Sequence, residues 1–412
     1  MKMNAYIAGV GMTPFGNHMD RSLKSLAVEA AQAAMKDAGV GNADINAAYH
    51  ANVAAGTMVG QICIPGQVAF REMGLGGIPV VNVKNACASA STAFQQASAM
   101  VSAGYYDVVL VVGVEKLYHV EKERTFAVFD GCVDYEDFDN VVSSVRERIS
   151  TASGHTHQTA GQHSFFMDIY ASLALDHMKA YGTTQAQFAA ISAKNSRHGS
   201  LNPFAQFRDV ITVEQVLAAR DISYPLTLPM CSPIGDGAAA AVVVSEKKAR
   251  ELGMSRCVRV RSCVLSSGWD YQHGDDNNET RLTGSVVQQA YECAGVGPED
   301  LDLIELHDAS APSELIFYET LGLCPVGEGG SLAESGATAL GGTIPVNPSG
   351  GLLRKGHPIG ATGLAQLAEL TWQLRAEAGK RQVAGARVAL AENGGGYIGE
   401  DAAAMVISIL SL

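Results

Sequence analysis

What most limits the folds open to this chain is that it repeats itself. Ala33-Ala34-Met35-Lys36-Asp37-Ala38-Gly39-Val40-Gly41-Asn42-Ala43-Asp44-Ile45 aligns with Gln289-Ala290-Tyr291-Glu292-Cys293-Ala294-Gly295-Val296-Gly297-Pro298-Glu299-Asp300-Leu301 at a constant offset of 256, so that Ala38 answers Ala294. In each copy a helix ends at a glycine, a short loop follows, and a strand begins. A second match supports the first. Ser102-Ala103-Gly104 leads into the apolar run Asp107–Val114 as Glu377-Ala378-Gly379 leads into Ala386–Ala391. Two halves of similar plan predict an α/β body with a pseudo-twofold axis: two packed mixed sheets, with helices between and outside them. The helix after Cys87 then pairs with Gly360–Ala378, and both helix starts lie near the axis.

The composition permits such a body. Of 412 residues, 47% are hydrophobic and 17% charged, enough for a large core. A formal charge of −13 argues against nucleic acid or an anionic membrane as the main partner. No apolar run reaches spanning length, and Met1-Lys2-Met3-Asn4 runs straight into a strand-like Ala5–Val10 without a secretory pattern. The expected location is the cytoplasm. Eight scattered cysteines with no Cys-x-x-Cys pair suggest neither a disulfide framework nor a zinc site.

Strand-like and helix-like segments alternate at first: Ala5–Val10, Ser22–Ala38, Ile45–Ala51, a helix over Gln61–Met73, then Pro79–Val83. Gly9-Val10-Gly11 lacks the spacing of a dinucleotide loop, and Pro14 interrupts any helix after it, so a strand-end turn is expected. From about Glu115 to Ser223 the alternation breaks down. This excursion holds most of the aromatic, His and Met clustering, helices near Phe166–Tyr181 and Gln185–Arg197, and an acidic patch of Asp130, Asp134, Glu136, Asp137 and Asp139. It reads as an insertion that shapes a binding site. His155, His157 and His163 fall there without metal-ligand spacing and are expected to line a polar loop. The expected division is residues 1–114 with 224–250 as one half, 115–223 as the excursion, and 251–412 as the other half.

Chemistry collects at three points. Pro79–Val83 reads as a buried strand, and from Cys87 small residues run to Ala103 without Pro or Gly, as a helix would. Cys87 therefore falls where strand turns into helix, a setting that lowers a thiol pKa. Leu303–Ala309 is a strand that ends in His307-Asp308. Asn347-Pro348-Ser349-Gly350-Gly351-Leu352-Leu353-Arg354-Lys355-Gly356-His357-Pro358-Ile359-Gly360-Ala361-Thr362-Gly363 is a glycine-rich loop that presents His357 ahead of a helix. A thiol, a base to activate it and a second imidazole to hold an oxyanion are the minimum kit for thioester acyl transfer.

Asn85-Ala86-Cys87-Ala88-Ser89, Gly356-His357-Pro358-Ile359-Gly360-Ala361-Thr362-Gly363 and Asn393-Gly394-Gly395-Gly396 together resemble the thiolase superfamily over nearly the whole chain. His307-Asp308 resembles the sterol-carrier-protein type and its archaeal and bacterial relatives, where other thiolases carry Asn-Glu. The resemblance implies duplicated βαβαβ halves in five layers, α-β-α-β-α. It implies an acyltransferase making or cleaving a 3-oxoacyl-CoA, with coenzyme A as substrate and no permanently bound cofactor. Cys87 would attack the thioester, and His357 would take its proton. His357 and His307 would hold one oxyanion, and the amides of Cys87 and Gly394 the other. Ser262 would touch the pantetheine arm. A homodimer is implied, and relatives work beside an OB-fold, zinc-ribbon partner, some in retro-aldol chemistry. The alternative reading is an acyl-CoA-binding scaffold or carrier subunit of a complex. The second catalytic thiol of the family is missing at both of its usual places: Glu392 stands ahead of the final glycines, and Ala309-Ser310 follow His307-Asp308. Glu392 is thus expected to be the acid/base or a structural carboxylate. The aromatic excursion suits a bulky or aryl acyl group.

Overall fold

A computed structural model of the chain describes residues 2–153, 163–269, 281–399 and 401–412. Its strands are β1 Lys2–Met12, β2 Ala47–Ala51, β3 Val80–Val83, β4 Val108–Glu115, β5 Asp221–Ser223, β6 Leu226–Thr227, β7 Gly237–Val244, β8 Val258–Ser267, β9 Leu303–Glu305, β10 Val388–Gly395 and β11 Ala404–Ser411. Nine of them join in the order β3-β2-β4-β7-β1-β8-β11-β10-β9, and β5 with β6 forms a separate ribbon. The two half-sheets expected from the repeat are therefore hydrogen-bonded edge to edge. Antiparallel pairing of β1 with β8, Tyr6 opposite Arg259, makes the junction. The parallel pairs β2–β3, β2–β4 and β9–β10 lie toward the two outer ends.

The layers follow from which face each strand residue turns to which helix. In β4, Val109 and Val111 point into a core shared with the Ser89–Ser102 and Thr362–Leu374 helices. Val108, Leu110 and Val112 point the other way, onto the Leu23–Ala38 helix. Residues buried on both faces explain why β4 and β7 read as unbroken apolar runs. The two central helices pack on both half-sheets, and the Arg281–Ala294 and Ala311–Thr320 helices cover the outer face of the second half.

The repeat keeps its register in three dimensions. β1 and β8 begin at residues 2 and 258, separated by the same offset as the sequence match. Gly39 and Gly295 end their helices at φ 71° and 66°, the left-handed region open to glycine. Asp44 and Asp300 each accept the N–H of the glycine three residues earlier at 2.9 Å. Gly9 has a packing role. A Cβ there would sit 2.4 Å from the Ala34 carbonyl, so the glycine lets the Leu23–Ala38 helix lie against β1.

Two expectations shift, the first being that Val80–Val83, read as part of a buried strand, is the end strand of the sheet with Val81 42% exposed. The helix expected over Gln61–Met73 forms only over Pro65–Glu72, where Pro65 sits in its first turn, and a short helix over Ala55–Val59 precedes it. Between Glu115 and Gly237 no described residue adds a strand to the main sheet; this stretch is mostly helical and packs over the second half.

Candidate active site

β3 ends at Val83, and the chain turns through Asn85-Ala86-Cys87 before the Ser89–Ser102 helix. Ala86 takes φ 47°, a left-handed conformation uncommon for a residue with a Cβ. Hydrogen bonds hold it there. Ser89 Oγ donates to the Ala86 carbonyl (2.6 Å) and accepts the Asn85 N–H (2.7 Å), and Asn85 Nδ2 donates to Thr92 Oγ1 (3.0 Å). From the second half, Gly395 closes over this turn so tightly that a Cβ would lie 2.5 Å from the Ala88 nitrogen. The nucleophile candidate therefore stands two residues ahead of the helix.

His307 follows β9, and His357 follows the short Gly351–Lys355 helix. The structure brings both to Cys87: the sulfur and one nitrogen of each ring lie within 4.8 Å of one another. The two rings meet edge to face, centroids 5.1 Å apart. Thr362 Oγ1 donates to the Pro358 carbonyl (3.1 Å) and faces His357 Nδ1 at 2.7 Å. With its proton so committed, the hydroxyl accepts from Nδ1–H, which assigns the lone pair to Nε2, the nitrogen a base would use on the thiol. Among the described residues His307 Nε2 is buried without a hydrogen-bond partner, a polar atom that a bound ligand could satisfy.

Burial decides the charges. The amides of Cys87 and Gly396 favour the thiolate, but desolvation outweighs them and raises the thiol well above its ordinary value. The lowering expected from the strand-to-helix setting is thereby reversed. Burial likewise pushes His307 down to about 4 and His357 well below the usual imidazole range, with His307 and Lys355 adding to the effect on His357. The resting group is a neutral thiol beside two neutral imidazoles, so any use of the sulfur as a nucleophile requires a neighbouring base to take its proton.

Buried carboxylates fix the loops that present these side chains. Glu115, at the end of β4, accepts the Gly360 N–H (3.1 Å), the Val53 and Ala54 N–H groups (2.9 and 3.0 Å) and Asn52 Nδ2 (2.7 Å). It therefore ties the His357 loop to the first half. Burial raises Glu115 to about 7. Asp308 accepts the Leu352 N–H (2.7 Å) and Asn195 Nδ2 (2.9 Å), and Lys355 Nζ donates to Glu305 (3.0 Å) and Ser349 Oγ (2.9 Å). None of these supports was assigned from sequence, because all but the Lys355–Ser349 contact join residues dozens to hundreds of positions apart.

Two openings, of about 780 and 920 Å³, meet at Cys87. The first runs between the Phe165–Tyr181 and Ala311–Thr320 helices, past His307, Ile316, Phe317, Gly394 and Met405. The second passes His357, Ala309, Phe129, Cys132 and Cys231 to Arg220. His163 lines the second opening, its ring 2.7 Å from Asp168; His155 and His157 lie outside the described residues. Asp134 and Asp137 of the acidic patch border a surface hollow that shares Tyr397 with the first opening.

The remaining candidates fall differently. Gly394 lines the first opening, but its amide helps to hold Glu392, and the glycine amide that reaches the Cys87 sulfur belongs to Gly396. Glu392 is fully buried: Oε2 accepts the His307 N–H (2.8 Å), Oε1 has no partner, and burial raises it to about 8. It lines neither opening. Ser262 is not brought to the site. It lies in β8 opposite Lys2 and Ile409, fully buried, and donates to the Ala290 carbonyl at 3.0 Å. Sequence reasoning missed Tyr170 and Phe166, which stand against Cys87; the aromatic clustering of the excursion was their only signal.

A nine-stranded duplicated sheet with a Cys and two His converging at its axis defines a thioester-handling enzyme of the thiolase fold. The chain matches the family model "Thiolase, N-terminal domain" over residues 5–221 and "Thiolase C-terminal domain-like" over 269–409. It belongs to the thiolase superfamily and is an acyltransferase. It is 40% identical to an acetyl-CoA acetyltransferase of Methanothermobacter thermautotrophicus, covering 95% of this chain and 96% of that one. It is 37% identical to sterol carrier protein 2 of Rattus norvegicus, with 94% of this chain and 69% of that protein covered. Identity to the benzoylsuccinyl-CoA thiolase subunit BbsB of Thauera aromatica is 34%, over 91% and 90% of the two chains. Among solved structures, a chain of an Ltp2-ChsH2(DUF35) aldolase superposes with a TM-score of 0.78 at 25% identity, covering 98% of this chain and 97% of that one.

Proposed function

We propose that this protein makes or cleaves a 3-oxoacyl-CoA with a bulky, aryl-bearing acyl group, through an acyl thioester on Cys87. What carries the reading is one thiol with a neutral imidazole on either side and an apolar opening leading away from each. His357 Nε2 takes the thiol proton as the sulfur attacks the carbonyl. His307 and His357 stabilise the oxygen of the second acyl group, and the amides of the Cys87 turn and the final glycines that of the first. The opening that ends at Arg220 suits the pantetheine arm and its phosphates, because a guanidinium at the mouth favours an anion. The opening lined by Phe166, Tyr170 and Phe317 suits the aryl group. The relative whose name includes benzoylsuccinyl-CoA supports an aromatic substrate, and Glu392, which meets neither opening, acts by holding His307.

The test is benzoyl-CoA with wild type and Cys87→Ala, read by intact-protein mass. Wild type gains one benzoyl group on Cys87 and the variant gains none; a gain that maps to another residue defeats the reading.

Two assemblies belong to the same reading. β3 is the end strand of the sheet, with Val81 42% exposed on it and Ile62 65% and Ile64 50% exposed nearby, so a second copy pairs there. The Asp134–Asp137 hollow receives a different subunit, as the subunit name of one relative and the two-component name of the aldolase suggest. Light scattering of the chain alone gives a dimer; a monomer at every micromolar concentration removes the first of these.

A further inference from the structure

We infer that Tyr170 is the catalytic proton donor for the carbon–carbon step, in the place left by the missing second thiol. The inference rests on the acyl-transfer reading above. Among the described residues, Cys87, Phe166 and Tyr170 are the three that line both openings. A substrate with one carbonyl in each opening passes between them, and its α-carbon lies where the openings meet. Of those three, the phenol is the one protic side chain besides the nucleophile. Its ring leans on Phe166, centroids 6.4 Å apart, which aims it from the Phe165–Tyr181 helix. Among the described residues its hydroxyl has no hydrogen-bond partner, although it lies in the field of Cys87, Glu392 and Cys132. The two imidazoles are engaged otherwise, His357 with the Cys87 proton and His307 with an oxygen.

The step balances. Attack by the Cys87 sulfur on the 3-oxo carbonyl forms the thioester and breaks the bond between C2 and C3, and the electron pair goes to C2. Tyr170 gives its proton to C2, completing the departing acyl-CoA. The phenolate then recovers a proton from the thiol of the incoming coenzyme A, whose sulfur attacks the acyl group. The Cys87 sulfur leaves and takes back the proton held on His357. Burial and the neighbouring acidic groups hold the phenol well above its usual range, so it stays protonated until a far more basic carbanion forms. Condensation runs the same sequence backward.

The experiment compares wild type, Tyr170→Phe and Glu392→Gln with benzoyl-CoA (acylation) and with 3-oxo-3-phenylpropanoyl-CoA plus coenzyme A (cleavage). Tyr170→Phe keeps the ring and the wall. Its acylation stays within about threefold of wild type while its cleavage falls by about 100-fold or more, the typical contribution of a general acid. Glu392→Gln loses no more than about tenfold in cleavage. Cleavage by Tyr170→Phe within threefold of wild type overturns the inference, as does an equal fall in both assays, which would make Tyr170 a wall. Failure of wild type to acylate Cys87 overturns the acyl-transfer reading itself, and this inference with it.

Discussion

The two halves share a scaffold and divide the chemistry. By the offset of 256, the strand end after β2, Ala51-Asn52, answers the strand end after β9, His307-Asp308. Both polar residues bind the start of a following segment: Asn52 Oδ1 accepts the Ala55 N–H (2.9 Å), and Asp308 Oδ1 the Leu352 N–H (2.7 Å). One step earlier the halves part, with alanine in the first and the imidazole in the second. The first half supplies the Cys87 thiol and the long helical excursion; the second supplies both imidazoles, and its equivalent connection, from β10 to β11, is short. A symmetric frame brings two helix starts and two strand ends to one axis, and asymmetry in the loops then decides which becomes thiol and which becomes base.

The largest effect that could break this division comes from His357. If the second half supplies the only base for the thiol, His357→Ala slows acylation of Cys87 by roughly 10²–10⁴. Acylation in wild type should also stay constant as pH falls through 6.5, because burial holds His357 neutral below its ordinary range. An acid limb centred at 6.5 or above would mean that the imidazole is solvated and the closed geometry does not persist.

Smaller, and specific to the second half, is the effect of Glu392 on stability. Its folded value is raised from 4.5 to about 8, so the folded chain keeps a proton that the unfolded chain has released. Stability from this group is therefore fullest below pH 4.5, falls as pH rises toward 8, and levels above it. Glu392→Gln should flatten part of that fall. Glu115, raised to about 7, contributes a slope of the same sign from the first half and remains in the variant. Melting temperatures of both proteins between pH 5 and 9 would show it. Parallel curves would mean that Glu392 stays ionised in the fold.

Local signals carried the sequence a long way. Repeat, strand periodicity and glycine loops predict the layered α/β body and single out Cys87, His307 and His357, because each sits at the edge of a strand or helix that its neighbours announce. Other features needed the folded chain. The β1–β8 pairing joins residues some 250 positions apart, and no local pattern encodes it. Cys87 illustrates the limit best. Sequence gave it a helix start, which favours the thiolate, while the fold buried it beneath Gly395 and Gly396 and so favoured the thiol. Ser262 stood in a plausible place along the chain, yet the alternation of β8 turned it into the core. The sequence by itself determined the duplicated frame and the kinds of groups at its centre, since periodicity and turn chemistry act over a few residues. Tertiary structure alone decided their charge states, the Glu115 clamp on the His357 loop, and the meeting of Tyr170 with Cys87, because desolvation and contact are properties of neighbours brought together from distant parts of the chain.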